Sequence, residues 1–484
     1  MQPTPFPARG YTRESIFNAM QAMRARDVQW HAGRVFSLVF DAGADAREIA
    51  QHAYDLFFAE NGLNPTAFPS LRQFETDVVA MVASLLGSDG SIVGNMTSGG
   101  TESILMAVQA ARDYCRIFRS EISVPEIILP VTAHPAFDKA AHYFNLKVVK
   151  TPVTAEYKAD VNAVRDALTP NTILIVGSAP QYAHGVVDPI PELAHIAREK
   201  NILLHVDACV GGMMLPFVRQ LGYTIPDFDF RVPGVTSLSV DLHKYGYAAK
   251  GASVILYRTR ELRRAMMYAT TEWPGGIYAS PTMLGTRPGG AIAAAWAVLH
   301  YLGADGYLHI ADVVMKTVEV LRAGVAQIGD VRILGQPDMS VLALASDTLD
   351  IYQVGDELTA RGWHLDRQQF PPSLHLTVHY GHAARVELFL RDLQDAVRAA
   401  KKASAQKFAN RAIIAVAQNA ARILPAPWLS RVTQRAASRL AGGATGGGRS
   451  AAMYGMMGAL PNRGDLRELV LDLVEGFTTP PSDK

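Results

Sequence analysis

The chain has 484 residues, 49% of them hydrophobic and 19% charged, which is enough apolar content to bury a sizeable core and excludes an intrinsically disordered chain. Lys+Arg number 46 and Asp+Glu 45, a formal net charge of +1, which excludes a general nucleic-acid binder, because phosphates call for a basic excess. Two widely separated cysteines, Cys115 and Cys209, exclude a disulfide framework and a C-x-x-C metal site and suit a reducing compartment.

Met1 to Gly10 has no apolar h-region, so no secretory signal is expected. Pro3, Pro5 and Pro7 keep this start extended, and residues 1–60 read as an arm plus helices. From about Leu85 to Tyr257 short β-branched runs alternate with helical stretches. The runs are Ser91–Val93, Ile127–Leu129, Val148-Val149, Ile173–Val176, Ile202–Val206, Ser237–Val240 and Val254–Tyr257. Near-continuous apolar strands separated by helices predict an α/β fold, a mainly parallel sheet covered on both faces. Ligands of such sheets sit at the carboxyl ends of the strands. The uncharged stretch Gly289–Leu302 is too short to span a bilayer and is interrupted by His300. Beyond Gly303 the pattern is less regular, with strand-like segments at Val341–Leu344 and His375–Val378, and predicts a smaller α+β domain. The expected division is therefore 1–60, a large domain over 61–302, and a small C-terminal domain over 303–484 with an insert at 401–450. Gly442–Gly448 reads as a glycine-rich linker. Between Asp395 and Asp465 there is no acidic residue, while Arg398, Lys401, Lys402, Lys407, Arg411, Arg422, Arg431, Arg435, Arg439, Arg449 and Arg463 are basic. The plain reading is a solvated helical hairpin packed on the domain. The sharper one is a basic amphipathic surface over 401–440 for peripheral contact with anionic lipid. The whole predicts a soluble, cytoplasmic protein.

Four places at strand ends carry chemistry. Ser98-Gly99-Gly100-Thr101-Glu102-Ser103 follows a strand and opens a helix, with Ile104, Val108, Ala111, Cys115 and Phe118 on one face. A Gly-rich helix start offers free N–H groups and a positive dipole end to a phosphate, though it also suits an ordinary helix cap. It is not a Walker loop, since no Gly-Lys-Ser/Thr follows. His134 lies just beyond the Ile127–Leu129 run and is open to either a structural or a ring-stacking role. Asp207 ends the most apolar run, where it wants a cationic partner or serves as a cap. Lys244, after Ser239-Val240-Asp241-Leu242-His243, suits Schiff-base chemistry in a half-buried cleft, and Lys250 competes for that part. Together a phosphate cradle, an imidazole, a buried Asp and a lysine form the set that holds pyridoxal 5'-phosphate, whose pyridinium the Asp keeps protonated. No metal is expected: HExxH is absent, and His375 and His379 read as lying on one strand face without carboxylate companions. A G-x-S-x-G hydrolase elbow is absent too.

The strings Thr97–Leu105, His205–Gly212, Asp241–Gly251, Gly275–Thr282, Arg287–Gly290 and Tyr454–Met456 resemble the sphingosine-1-phosphate lyase family, within the group II pyridoxal-phosphate decarboxylase superfamily. The likeness runs from about Asn61 to the C-terminus, apart from Lys401–Ser450. It implies the aspartate-aminotransferase-like (type I) fold and an obligate homodimer with shared active sites. It implies retro-aldol cleavage of phosphorylated sphingoid bases to a long-chain aldehyde and phosphoethanolamine. By the same resemblance Lys244 is the Schiff-base lysine, Asp207 the pyridinium partner and His134 the stacking ring. Ser98, Gly99, Gly100, Thr101, Ser239 and His243 hold the cofactor phosphate, which Gly289 and Gly290 close from the second subunit. Lys250 assists with the substrate phosphate or with proton transfer, and Tyr278 lies at the substrate. Asn64 stands where the family has a histidine, and Phe40 where it has a tyrosine. Both changes remove polar contacts near the expected substrate phosphate. The rival readings are an amino-acid α-decarboxylase and a non-catalytic cofactor-binding module.

Overall fold

The computed structural model of the protein describes residues 6–406 and 463–479. The basic segment expected at 401–450 lies almost wholly outside the described residues, as does Tyr454–Met456.

A seven-stranded sheet forms the centre. Its strands are β1 (Val93–Thr97), β2 (Glu126–Pro130), β3 (Lys147–Thr151), β4 (Thr172–Ser178), β5 (Leu203–Asp207), β6 (Ser237–Val240) and β7 (Ser253–Tyr257). They lie in the order β1-β7-β6-β5-β4-β2-β3. The β2, β4 and β7 strands are buried throughout, around the apolar runs Ile127–Leu129, Ile173–Val176 and Val254–Tyr257. The edge strand β3 carries Lys147 and Lys150, which blunt it against further pairing. The sheet is mainly parallel as expected, but β7 runs antiparallel to both its neighbours, β1 and β6. All the other strands therefore finish at one end of the sheet.

Helices cover both faces. Gly100–Phe118 buries Ile104, Val108, Ala111 and Cys115 against the sheet. Phe118, expected on the same face, is 57% exposed because it ends the helix. After the hairpin β8 (Tyr268–Thr270) and β9 (Tyr278–Ser280), a long helical stretch, Gly289–Ile328, is interrupted at Gly303, whose φ of 56° is a conformation glycine adopts without a Cβ clash. The apolar stretch picked out at Gly289–Leu302 is the first limb of this helix, buried at Ala293, Ala294, Ala295 and Val298. No helix among the described residues is long and apolar enough to cross a membrane.

A second sheet of four antiparallel strands follows, in the order β10-β11-β13-β12, built from β10 (Arg332–Ile333), β11 (Val341–Ala345), β12 (Asp366–Gln369) and β13 (Pro372–Thr377). Here one sequence expectation is corrected. His375 does have a carboxylate companion, since Asp366 is its register partner across β12–β13. His379 lies beyond the strand and caps the turn Tyr380–His382. No group of three or more potential metal ligands occurs among the described residues.

Candidate active site

The carboxyl ends of β1, β2, β5 and β6 open into one cavity of about 370 Å³. Its lining includes Ser98–Glu102, His134, Asp207, Cys209, Asp241, His243 and Lys244. Each reaches the cavity for the same reason: a buried apolar strand ends and the next residues emerge at the sheet's rim.

The cradle follows β1. Gly100 opens the helix Gly100–Phe118, whose first-turn N–H groups have no acceptor within the helix. Glu102 is buried and spends both carboxylate oxygens on main chain: Oε2 accepts from Ser98 N at 2.6 Å, and Oε1 from Met283 N and Leu284 N at 3.0 and 3.2 Å. The loop is thus tied to the segment leading to Gly289. A Cβ on Gly100 would stand 2.8 Å from both Asp241 Oδ2 and Cys209 Sγ, so this close approach requires glycine.

His134 follows β2. Its Nδ1 accepts the Ala136 N–H at 3.2 Å, which fixes the ring at the start of the next helix. Burial, with Lys244 adding to it, holds the imidazole below its usual pKa against the opposing pull of Asp207. The ring is therefore neutral and flat-faced at physiological pH. Asp207 ends β5, and its Oδ1 accepts from Cys209 N at 3.1 Å and from the Ser239 hydroxyl at 3.4 Å. Ser239 does not line the cavity: it is fully buried beneath Asp207, within 3.2 Å of His205 Nε2. Burial pushes His205 down to about 4, so this supporting imidazole is uncharged.

Lys244 follows β6. Its Nζ lies 2.9 Å from Asp241 Oδ2. Burial pulls the lysine down, but Asp241, Cys209 and Asp207 outweigh it and hold the ammonium above its ordinary value. The turn bearing it is anchored by tyrosines. Tyr245 donates to Val378 O at 2.7 Å and Tyr307 to Gly246 O at 2.8 Å. His243 accepts the Ala252 N–H at Nδ1 and turns Nε2 toward Asp241 Oδ2, 3.7 Å away. Lys250 donates to the carbonyl of His243 at 3.2 Å, just outside the cavity wall. Burial and then Lys244 lower Lys250 to about 8. Its ammonium stands 5.4 Å over the ring of Phe40, so the expected substrate residues Phe40 and Lys250 do meet.

Besides Ser239, Lys250 and Phe40, four predicted residues do not line this chain's cavity. Asn64 is exposed and accepts from Thr66, in the loop beside Arg287. Tyr278 packs near Trp273 and Tyr268 on the β8–β9 hairpin. Gly289 and Gly290 sit where a Cβ would strike Glu60 O and Tyr54. Conversely, Glu102, Cys209, Asp241 and Tyr182 were not assigned from sequence. Tyr182 lines the mouth, stacks on His375 at 4.0 Å and donates to Asp366 at 3.1 Å, bridging the two sheets. For Glu102 a signal was present: an acidic residue at the third helical position after a Gly-rich turn is a capping pattern.

The observed donor set fits pyridoxal phosphate. A helix start that only glycine fits faces the cavity, a carboxylate and a flat neutral ring flank it, and a lysine amine reaches its floor. Such a cavity at the carboxyl ends of a mainly parallel sheet defines a pyridoxal-phosphate-dependent enzyme of the aspartate-aminotransferase-like fold. Residues 1–345 match the family model of the pyridoxal-dependent decarboxylase conserved domain. Sphingosine-1-phosphate lyase of Arabidopsis thaliana is 45% identical over 403 residues, covering 82% of this chain and 74% of that protein. The enzyme of the same name from Oryza sativa subsp. japonica is 42% identical over 480 residues, covering 98% of this chain and 81% of the other. The solved sphingosine-1-phosphate lyase of Burkholderia pseudomallei superposes with a TM-score of 0.80 at 40% identity, covering 85% of this chain and 96% of that one. The chain belongs to the sphingosine-1-phosphate lyase family.

One consequence follows for the cradle. Gly100→Ala is expected to weaken pyridoxal phosphate binding by about ten- to a hundredfold, because overpacking at a contact this tight costs about 1–3 kcal/mol. Fluorescence titration of cofactor-stripped protein measures it. Unchanged affinity would mean that the helix start is not where the phosphate rests.

Proposed function

We propose that this chain cleaves the Cα–Cβ bond of phosphorylated sphingoid bases, yielding a long-chain aldehyde and phosphoethanolamine. The observation that carries the proposal is the convergence of the Ser98–Thr101 cradle, His134, Asp207 and Lys244 on one cavity, in a chain whose relatives bear the lyase name at 40% identity and above. Bound pyridoxal phosphate supplies an electron sink for the charge left when the carbon–carbon bond breaks.

The chain's own residues supply the rest. Gly99, Gly100, Thr101 and His243 hold the phosphate end. Ser98 orders the loop by donating its N–H to Glu102. His134 covers one face of the ring and excludes water from it. Asp207, oriented from below by Ser239 and Cys209, keeps the pyridine nitrogen protonated. Lys244 carries the aldehyde between turnovers. Lys250, at about 8, exchanges a proton near neutral pH and is the candidate acid–base group for the C3 hydroxyl. Phe40, under the Lys250 ammonium, presents an apolar ring in place of a hydroxyl.

A second copy of the chain completes the site in this proposal, bringing Gly289, Gly290, Asn64 and Tyr278 to the substrate side. The exposure of Trp273 and Ile277, 56% and 80%, beside Tyr278 supports such a covered surface. A cytoplasmic location with peripheral lipid contact through 401–440 completes the reading, and that segment lies outside the described residues except for its first few.

The deciding experiment loads the protein with pyridoxal phosphate, adds phosphorylated sphingoid base, and assays long-chain aldehyde and phosphoethanolamine. Both products are expected in equal amounts. Release of CO₂ from an amino acid without aldehyde would make it a decarboxylase. A visible cofactor band with neither product would leave a binding module.

A further inference from the structure

Asp241 is the most confined charge in the cavity. It is 2% exposed, lies 2.9 Å from Lys244 Nζ, and presses on Gly100 at the helix start. Its other oxygen, Oδ1, is buried, and the Ser253 hydroxyl beside Asp241, which helps hold the carboxyl low, also donates to Val240 O. The charged and titratable groups acting on it are Lys244 and His243 from its own turn, Lys250 from the loop beyond, Cys209 from the end of β5 and His134 from the end of β2, with the cradle helix packed across Gly100. Such a carboxylate is tolerable while Lys244 is an ammonium. It is badly placed once Nζ is neutral and a phosphate has come to the same helix start, because burial then favours the protonated acid.

We propose that Asp241 is the positioning residue for Lys244, holding the free lysine as an ammonium at the cavity floor and taking up its proton when Nζ engages the cofactor aldehyde. The inference rests on the reading of Lys244 as the cofactor-bearing lysine. The proton balance closes within the pair. Lys-NH₃⁺ and Asp-COO⁻ become Lys-NH₂ and Asp-COOH. The amine lone pair then forms the bond to the aldehyde carbon, and the oxygen leaves as water with the two amine protons. No proton passes to solvent, and the neutral acid no longer repels the phosphate. When substrate displaces the lysine the exchange runs backward, and Asp241 parks the freed ammonium away from the reacting carbon. His243 does not take this part, because its Nδ1 already accepts the Ala252 N–H and its Nε2 is 3.7 Å from the carboxylate. Each holds the other charged against burial: Lys244, with His243, keeps the Asp241 carboxyl below its ordinary value, and Asp241 keeps the Lys244 amine above its own.

Infrared difference spectroscopy, loaded minus cofactor-free, tests this on the full-length protein with pyridoxal phosphate as the probe. A protonated-carboxyl band that shifts in D₂O is expected on loading. It should vanish in Asp241→Asn, whose amide mimics the neutral acid and should keep the cofactor. In Lys244→Ala the buried carboxyl has lost its ammonium partner and is protonated with or without cofactor, so the band should cancel from the difference spectrum, and the test survives if one variant fails to fold. Absence of the band in the loaded wild type, or its persistence in Asp241→Asn, overturns the proposal. The visible absorbance recorded on the same sample separates the two readings: bound cofactor without the carboxyl band overturns the proton store alone, and no bound cofactor overturns the site.

Discussion

Lys244→Ala is expected to lower turnover by at least about a thousandfold, the scale on which removing a covalent catalytic group acts. It is the lysine among the residues lining the cavity, and Lys250, six positions on, points its ammonium at the His243 carbonyl and the Phe40 ring instead. Borohydride treatment of the loaded wild type should leave a stable cofactor adduct on the peptide containing Lys244, and the variant should leave none. Lys244→Arg should fail equally, since a guanidinium does not shed its proton and cannot condense with an aldehyde. Retained turnover in Lys244→Ala, or an adduct on Lys250, would transfer the role to Lys250.

Asp207→Asn is expected to lower turnover by roughly a hundred- to a thousandfold while leaving the fold intact. Cys209 N and the Ser239 hydroxyl donate to Oδ1, and an amide oxygen accepts both in the same place. What is lost is the charge. Losing one partner of a buried ion pair costs about 3–5 kcal/mol, and the ring nitrogen answers by giving up its proton. The bound cofactor's absorbance should therefore titrate at lower pH in the variant than in wild type, a shift that simple loss of packing would not produce. Wild-type turnover in Asp207→Asn would show that the ring nitrogen needs no charged partner here.

The cradle, His134, Asp207 and Lys244 were legible because each lies within a few residues of the end of an apolar run, and such runs mark where a buried parallel strand surfaces. What escaped has physical reasons. Val254–Tyr257 announces a buried strand, but apolar runs carry no direction, so β7's reversal was hidden. The face of Ser239 depends on β6 pairing with β5, where it meets Asp207. Asp366 and Tyr182 are 184 positions apart and meet only in the folded chain. Asp241 precedes Lys244 by three positions, yet nothing in the sequence shows that its carboxylate is sealed against Gly100.

The reversed strand β7 also sets a dimension. Cradle and lysine hang from β1 and β6, which are not neighbours, and β7 holds them two ladder steps apart, about 10 Å at the usual strand spacing. That gauge is made of main-chain hydrogen bonds and owes nothing to the side chains that do the chemistry. Aspartate and lysine can each be exchanged without rescaling the space between them. A scaffold of this kind is suited to re-engineering, because a change of reaction asks for new side chains within an inherited measure rather than for a new frame.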